Sequence, residues 1–401
     1  MRRPAKRALY AAFLAGLLLL AGGTPQLLRW ASFPSAIWTG EGSRLTLLAP
    51  LEGRIDAGVP GRYTARLPLL PWFQAASRPV TVHVMPPVEV VPGGESVGVM
   101  LRARGAVVQS LASGADSPAR AAGLRPGDVL LAADGRRLEG IDALVQAVQA
   151  AGRSGRPLRL QVQRGPAVLT LEARPRKIDG QYRLGVWVRD SAAGVGTVTF
   201  YDPATRTVAA LGHRVSDEHG DPYPMRDGKF VTALVSGVQP SRQGQPGEKV
   251  GVFLNVQHPL ATIRANTAFG VFGRLAGRPP AKPAVPVAWE DQVHPGPAEM
   301  ITVVQGLRPE AFRVEIERVI HSDQPSARSF ILRVTDPRLL HATGGIVQGM
   351  SGSPVLQDGR LVGAVTHVFI HDPTRGYGVF AQWMLEQGGL LQGGAERSMA
   401  S

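Results

Sequence analysis

Gly344-Gly-Ile-Val-Gln-Gly-Met-Ser-Gly-Ser-Pro354 sets one serine, Ser351, between Gly349 and Gly352, with Pro354 closing the stretch. A glycine two residues before the serine lets the backbone take a conformation that side chains disfavour. Two apolar runs follow, 355–356 and 361–365, on either side of Asp358-Gly359. Asp-Gly between apolar runs signals a hairpin, which fixes the serine's loop on a rigid strand pair. Working outward, period-2 stretches bounded by turn residues predict strands at 249–256, 300–305, 312–320, 329–335, 354–357 and 361–370. Residues 196–201 and 207–211 flank Asp202-Pro-Ala-Thr-Arg206 as a further hairpin. Six prolines between 279 and 297 mark a long loop, and the one helix expected is short, at 382–387. From residue 176 the pattern is all β, so a two-barrel or sandwich fold is the natural class.

Composition narrows the field. With 44% hydrophobic and 19% charged residues the chain buries a core, and 48 Gly with 33 Pro favour turns and short strands over helical bundles. There is no cysteine, which excludes disulfides, Cys-ligated zinc, iron–sulfur clusters and a thiol nucleophile. The net charge of +13 comes from arginines spread singly, with no nucleic-acid-binding motif beside them, so no nucleic-acid partner is expected. The one tight basic cluster, Arg2, Arg3, Lys6 and Arg7, precedes sixteen uncharged residues, 8–23, that include Leu17 to Leu20. A basic region followed by an apolar one is an export signal. Residues 1–26 are therefore read as a signal peptide or signal anchor. The remainder is expected across the cytoplasmic membrane and associated with it. Residues 27–91 read as a small β-rich region in which His83 is structural, and 393–401 as a flexible tail.

Residues 92–175 carry Gly98-Val-Met-Leu101 after a Pro-Gly-Gly turn, then Ser117-Pro-Ala-Arg-Ala-Ala-Gly-Leu-Arg-Pro-Gly-Asp-Val-Leu-Leu131 and the turn Asp134-Gly135. A helix-period stretch follows at 141–150 and a strand at 158–164. This resembles a PDZ domain of the bacterial protease-associated type. The resemblance implies a peptide ligand added as a strand, with the binding loop and strand at Gly98, Val99, Met100 and Leu101.

The Ser351 stretch resembles the nucleophile loop of chymotrypsin-like serine proteases. There two backbone N–H groups must face a developing oxyanion, and Gly349 and Ser351 would supply them. A nucleophilic serine needs a base. His213 ends a run of small residues, Ala209-Ala-Leu-Gly-His213, where the chymotrypsin clan places its histidine. His367 is the runner-up, and His371 and His341 rank below. The base needs a carboxylate to hold its tautomer. Asp336 ends a predicted strand fifteen residues before Ser351, in the order His–Asp–Ser.

Longer stretches then add up. Leu184-Gly-Val-Trp-Val-Arg-Asp-Ser-Ala-Ala-Gly-Val-Gly-Thr197, Ala210-Leu-Gly-His213, Gly247-Glu-Lys, Gly344 to Pro354 and Gly363-Ala-Val-Thr-His-Val368 with Asp372-Pro and Gly376-Tyr-Gly-Val379 resemble the stage IV sporulation protein B (SpoIVB) serine peptidase family over about 92–390. The resemblance implies a PDZ domain at 92–175 followed by a chymotrypsin-like double β-barrel at 176–392, with His213, Asp336 and Ser351 catalytic and no metal or organic cofactor. It implies an exported endopeptidase of sporulation signalling in the forespore intermembrane space. Its protein substrate would be a membrane-bound inhibitor of an intramembrane metalloprotease, whose release permits sigma factor precursor processing, and it would also cleave itself. Two alternatives stay open: a non-catalytic PDZ adaptor on a dead protease fold, and a general extracytoplasmic quality-control protease, although HtrA-type enzymes place the protease before the PDZ domain.

Overall fold

The computed structural model describes residues 33, 35–40, 59–70, 73–113, 117–217, 220–322 and 324–391. The signal or anchor segment, residues 41–58 of the β-rich region and the tail from 393 lie outside the described residues. The described chain is mainly β. Strands Ala36–Gly40, Phe73–Met85 and Gly61–Leu70 form a three-stranded sheet, burying Ala65, Leu67, Val80, Val82 and Val84. Trp38 stacks on His83 at 3.9 Å and meets Trp383 edge-on at 5.5 Å, which docks the sheet on the larger part of the chain.

Two closed barrels make up that larger part. In the second, Gly296–Thr302, Glu310–Val319, Phe330–Val334, Asp372–Phe380, Arg360–Phe369 and Pro354–Gln357 follow one another round the ring. Their alternation fits a one-sided strand: Phe312, Val314 and Ile316 are buried while Arg313 and Glu315 between them face outward or sit half-buried. Closure leaves no unpaired edge in either ring. The first barrel closes through Ser96–Leu111, Met225–Gln239, Ala261–Thr267, Gly270–Leu275, Thr207–Ala210 and Val186–Asp202. Phe230, Val198, Val208 and Val271 fill it, each fully buried. A helix at Ala381–Gln387 packs beneath, near the expected position.

The PDZ domain does not precede the peptidase barrels; it is inserted in the first of them. Ser96–Leu111 is one 16-residue strand with two sets of neighbours. Its first half, 96–103, pairs with Met225–Gln239 and Val186–Asp202 as a barrel stave. Its second half pairs with Val129–Ala133 inside the PDZ domain. The change of partner falls at Gly105, where a Cβ would stand 2.1 Å from the Leu130 carbonyl oxygen. No linker marks this boundary, so a reading from the chain alone gave 96–103 to the PDZ domain.

This corrects the peptide-binding assignment. Gly98, Val99, Met100 and Leu101 lie inside the first barrel with both edges taken: by Val195, Gly194, Ala193 and Ala192 on one side, and by Val231, Phe230, Lys229 and Gly228 on the other. No ligand strand can add there. The strand of the PDZ domain itself, 106–111, is also paired on both sides. Opposite Val129–Ala133 run residues 186–189 of the same chain, antiparallel, with Val186 against Leu111 and Arg189 against Val107. Val186 and Val188 pack on the PDZ core, Trp187 is exposed, and the Asp190 carboxylate accepts from the Ile141 N–H at 3.1 Å, at the start of helix Ile141–Ser154. The chain thus lays its own strand where a peptide would augment the sheet. The intact protein is expected to bind a fluorescein-labelled peptide with an apolar C-terminus more weakly than Val188→Lys, which loosens that strand. Equal anisotropy titrations for the two would show that the edge is open.

Candidate active site

The loop bearing Ser351 belongs to the second barrel and is gripped by the first. Helix Pro337–Thr343 stops at Gly344, whose φ of 68° is left-handed, and the chain then runs to strand Pro354–Gln357. Gly349 and Gly352 have φ of 92° and 94°, conformations open to glycine and disfavoured for other residues. At Gly352 a Cβ would also stand 2.1 Å from the Thr197 carbonyl oxygen, so the two barrels could not close on any other residue. Three hydrogen bonds cross from the first barrel: Thr197 N–H donates to the Ser351 carbonyl at 2.9 Å, Thr197 Oγ1 to the Gly349 carbonyl at 2.8 Å, and Thr199 Oγ1 to the Gly352 carbonyl at 2.9 Å. With those carbonyls turned into the protein, neither the Gly349 nor the Ser351 N–H donates to a protein acceptor.

His213 follows strand Thr207–Ala210 through Leu211 and Gly212, with φ of 71° and 69°. A buried leucine in the left-handed region is strained, and such strain persists only where the surroundings enforce it. Here it turns the chain so that His213 reaches the seam between the barrels. Its Nδ1 lies 2.8 Å from the Arg214 carbonyl oxygen. A carbonyl only accepts, so Nδ1 carries the proton and Nε2 keeps its lone pair. Burial holds the imidazole below its ordinary value of 6.5. His213, His367 and Ser351 line one cleft of about 1010 Å³. The His367 ring lies 5.2 Å from that of His213. Burial, then the neighbouring His213 and Arg328, pushes His367 down to about 4, so both rings are uncharged at neutral pH. Ser351 Oγ donates to the Thr366 carbonyl at 2.9 Å and not to either imidazole.

Asp336 is not brought to this cleft. It caps helix Pro337–Thr343, a helix the sequence reading did not expect and on which His341 also lies. Its carboxylate accepts from the Arg338 N–H at 2.9 Å, the Arg313 N–H at 3.2 Å and the Arg338 guanidinium at 2.9 and 3.1 Å. The guanidinium, first, holds the carboxyl far below its ordinary range. Asp336-Pro337 is an N-cap followed by proline at N1, the signal that would have placed the aspartate at a helix start. Among the described residues no carboxylate lines the cleft, while Arg189, Arg214 and Arg328 do. His371 sits at the turn before strand Asp372–Phe380 and does not line it. Sequence reasoning gave no part to Thr197, Thr199, Thr366 or Lys249. The signal for Lys249 lay in strand Glu248–Leu254, whose alternation is inverted: Lys249 is 4% exposed while Val250 and Val252 are 50% and 51% exposed.

Two closed six-stranded barrels, a serine on a glycine loop and a histidine at their seam define a serine peptidase domain of the double-barrel class. The family model described as SpoIVB peptidase S55 matches residues 180–385, just over half of the chain, and a PDZ domain model matches 110–164. The chain belongs to the SpoIVB peptidase S55 family. Other likenesses are partial. Proteins named "Putative zinc metalloprotease" from two strains of Xylella fastidiosa are 34% identical over 83 residues, 21% of this chain, and the chain spans only 18% of their length. The crystal structure of the inactive form of Rv3671c protease shares 14% identity, covering 49% of this chain and 84% of that one at a TM-score of 0.28. The active form from M. tuberculosis gives 15%, 50%, 74% and 0.27. Scores of that size add nothing to the fold described above.

Two outcomes follow from these surroundings. A base must be uncharged to accept a proton, and a lowered imidazole stays uncharged to lower pH. The acid limb of kcat/KM is therefore expected below pH 6.5; a limb centred above 6.5 would contradict His213 as base. Asp336→Ala removes a helix cap worth about 1–2 kcal/mol. Because the folded carboxyl is depressed, its contribution is complete above pH ~4 and is lost as pH falls further. Melting curves at pH 7 and pH 3 should therefore separate wild type from variant at pH 7 more than at pH 3.

Proposed function

We propose that the protein is a serine endopeptidase working through an acyl-enzyme. Ser351 Oγ leaves the Thr366 carbonyl and attacks the scissile carbonyl. His213 Nε2 takes the proton and later returns it to the leaving amine, and the N–H groups of Gly349 and Ser351 hold the oxyanion. The Arg214 carbonyl performs the tautomer-fixing task that the sequence reading gave to Asp336. The observation that carries this reading is the pair of undonated N–H groups beside Ser351 in the cleft that also holds the uncharged His213. Arg214 and Arg328 line that cleft, and among its described lining residues there is no carboxylate, which favours peptide substrates with acidic residues near the scissile bond.

Membership of the family and the basic-then-apolar N-terminus support the wider reading. In it the protein is exported, stays at the membrane by its N-terminus in the forespore intermembrane space, and acts in sporulation signalling. It cleaves a membrane-bound inhibitor of an intramembrane protease, so that a sigma factor precursor is processed, and it cleaves itself. The test is the full chain in detergent, wild type against Ser351→Ala and His213→Ala, followed by mass spectrometry of fragments and by fluorophosphonate labelling. Wild type should be cut and labelled, and both variants should lose several orders of magnitude in rate. A wild-type chain that is neither cut nor labelled would favour the non-catalytic PDZ adaptor. Self-cleavage that persists in Ser351→Ala would remove Ser351 from the mechanism.

A further inference from the structure

Lys249 is buried between the two barrels with no acidic partner among the described residues. Its Nζ donates to Thr302 Oγ1 at 2.9 Å, Ser96 Oγ at 3.2 Å and Thr197 Oγ1 at 3.3 Å, and all three hydroxyl residues are themselves buried. An ammonium has three N–H groups and no acceptor, so these three oxygens match it one for one. They come from three strands: Ser96 and Thr197 from the first barrel, Thr302 from the end of a stave of the second. The stem of the side chain lies along the serine loop, where a Cβ on Gly349 would stand 3.1 Å from Lys249 Cβ and 3.2 Å from Cδ. The backbone joins in: Lys249 N–H donates to the Gln348 carbonyl at 2.9 Å, and Gln348 N–H to the Gly247 carbonyl at 2.8 Å.

One hydroxyl in this set does two jobs. Thr197 Oγ1 accepts from Lys249 and gives its own proton to the Gly349 carbonyl. Hydrogen bonds in such a chain polarise one another. The Gly349 carbonyl shares one peptide plane with the Met350 N–H, which donates to the Val347 carbonyl at 3.1 Å, and that plane is the link between the two that carry the free N–H groups. A buried lysine without a counter-charge is costly and unusual, which argues that its position is needed for more than stability.

We propose that Lys249 is a positioning residue for the serine loop, which through Thr197 keeps the Gly349 carbonyl turned inward and the N–H groups of Gly349 and Ser351 turned toward the substrate. This rests on the serine-peptidase reading for its chemistry but not for its geometry. Burial alone pushes the ammonium down to about 7. From the packed elements only hydroxyls and the glycine loop face it, with no carboxylate or imidazole against it; Glu95, next to Ser96, is engaged by Lys282 and Tyr201. Loss of the third N–H proton near neutrality therefore weakens the bracing.

The experiment compares the full chain with Lys249→Met and Thr197→Val. Amide exchange is followed in peptides covering 347–353, and labelling by a fluorophosphonate is followed from pH 5 to 9. Both variants should exchange at least tenfold faster in the loop while the stave Phe330–Val334 keeps its wild-type rate, and labelling should slow by about 10- to 100-fold. Wild-type labelling should decline above pH ~7, and Lys249→Met should lose that limb without a change in KM for a peptide substrate. If Lys249→Met does not fold, Thr197→Val, which keeps the lysine, carries the test. Wild-type exchange rates in the loop for the variants that fold would overturn the proposal. An unlabelled wild-type chain would instead strike at the role of Ser351, and the exchange comparison would still decide the role of Lys249.

Discussion

Thr197 and Thr199 lie two residues apart on one strand of the first barrel, point the same way, and donate to the carbonyls of Gly349 and Gly352 in the second. Everything the cleft does depends on that grip. A loop of glycines around a serine has many conformations available, and ordering each residue costs about 1–2 kcal/mol. The crossing hydrogen bonds are fully buried, so breaking one leaves an unsatisfied carbonyl costing roughly 1–3 kcal/mol. The grip also sets where the barrels sit relative to each other, because Gly352 touches the Thr197 carbonyl and the Leu211 backbone with no room for a side chain. His213 comes two residues after Leu211. The positions of His213 and Ser351 are thus fixed by one contact.

The strand that carries Thr197 does more than brace the loop. Val186–Asp202 begins in the PDZ domain, where Val186 and Val188 pack on its core, passes along the cleft wall at Ala192 to Val195, and ends in the first barrel. Strands transmit displacement along their length because the ladder fixes their register. A PDZ domain inserted between two staves of a barrel is also held at both ends, unlike one appended by a linker. Residues 186–189 and the cleft wall at 192–195 thus lie on one strand, two residues apart.

Much of this was legible in the sequence, and what was not has identifiable causes. The serine hairpin, five of the six staves of the second barrel and the PDZ helix follow from local pattern, whereas the stave Asp372–Phe380, with its Pro and two Gly, does not read as a strand. The nesting of the PDZ domain was hidden because Ser96–Leu111 changes partners without a break, and strand patterns do not name partners. His213 and Ser351 were picked out by the small residues and glycines around them, and the structure brings both to one cleft. Asp336 was paired with His213 from chain order and from the family resemblance, neither of which reports distance in space, and the structure sets it at a helix cap away from the cleft. The Asp-Pro pair beside it pointed to a helix cap. Lys249 was passed over because a lysine in a strand reads as a solvated face, and only the exposed valines on either side showed the inversion.

The substitution of a carbonyl for a carboxylate behind the histidine has chemical consequences. Both fix the tautomer, but only a carboxylate supplies a full negative charge against the imidazolium formed during attack. His213 stands in a desolvated place, and that burial opposes its protonation, while the hydrogen bond to the Arg214 carbonyl works the other way; Arg214 and Arg328 line the same cleft. A histidine held below its ordinary value would take the Ser351 proton less readily. Compensation would have to come from the substrate: acidic side chains entering the cleft would offset the arginines and stabilise the imidazolium in the same step. On the mechanism proposed above, a substrate bringing that charge would be cut faster than one without it, which is a physical route to acting on few proteins instead of many.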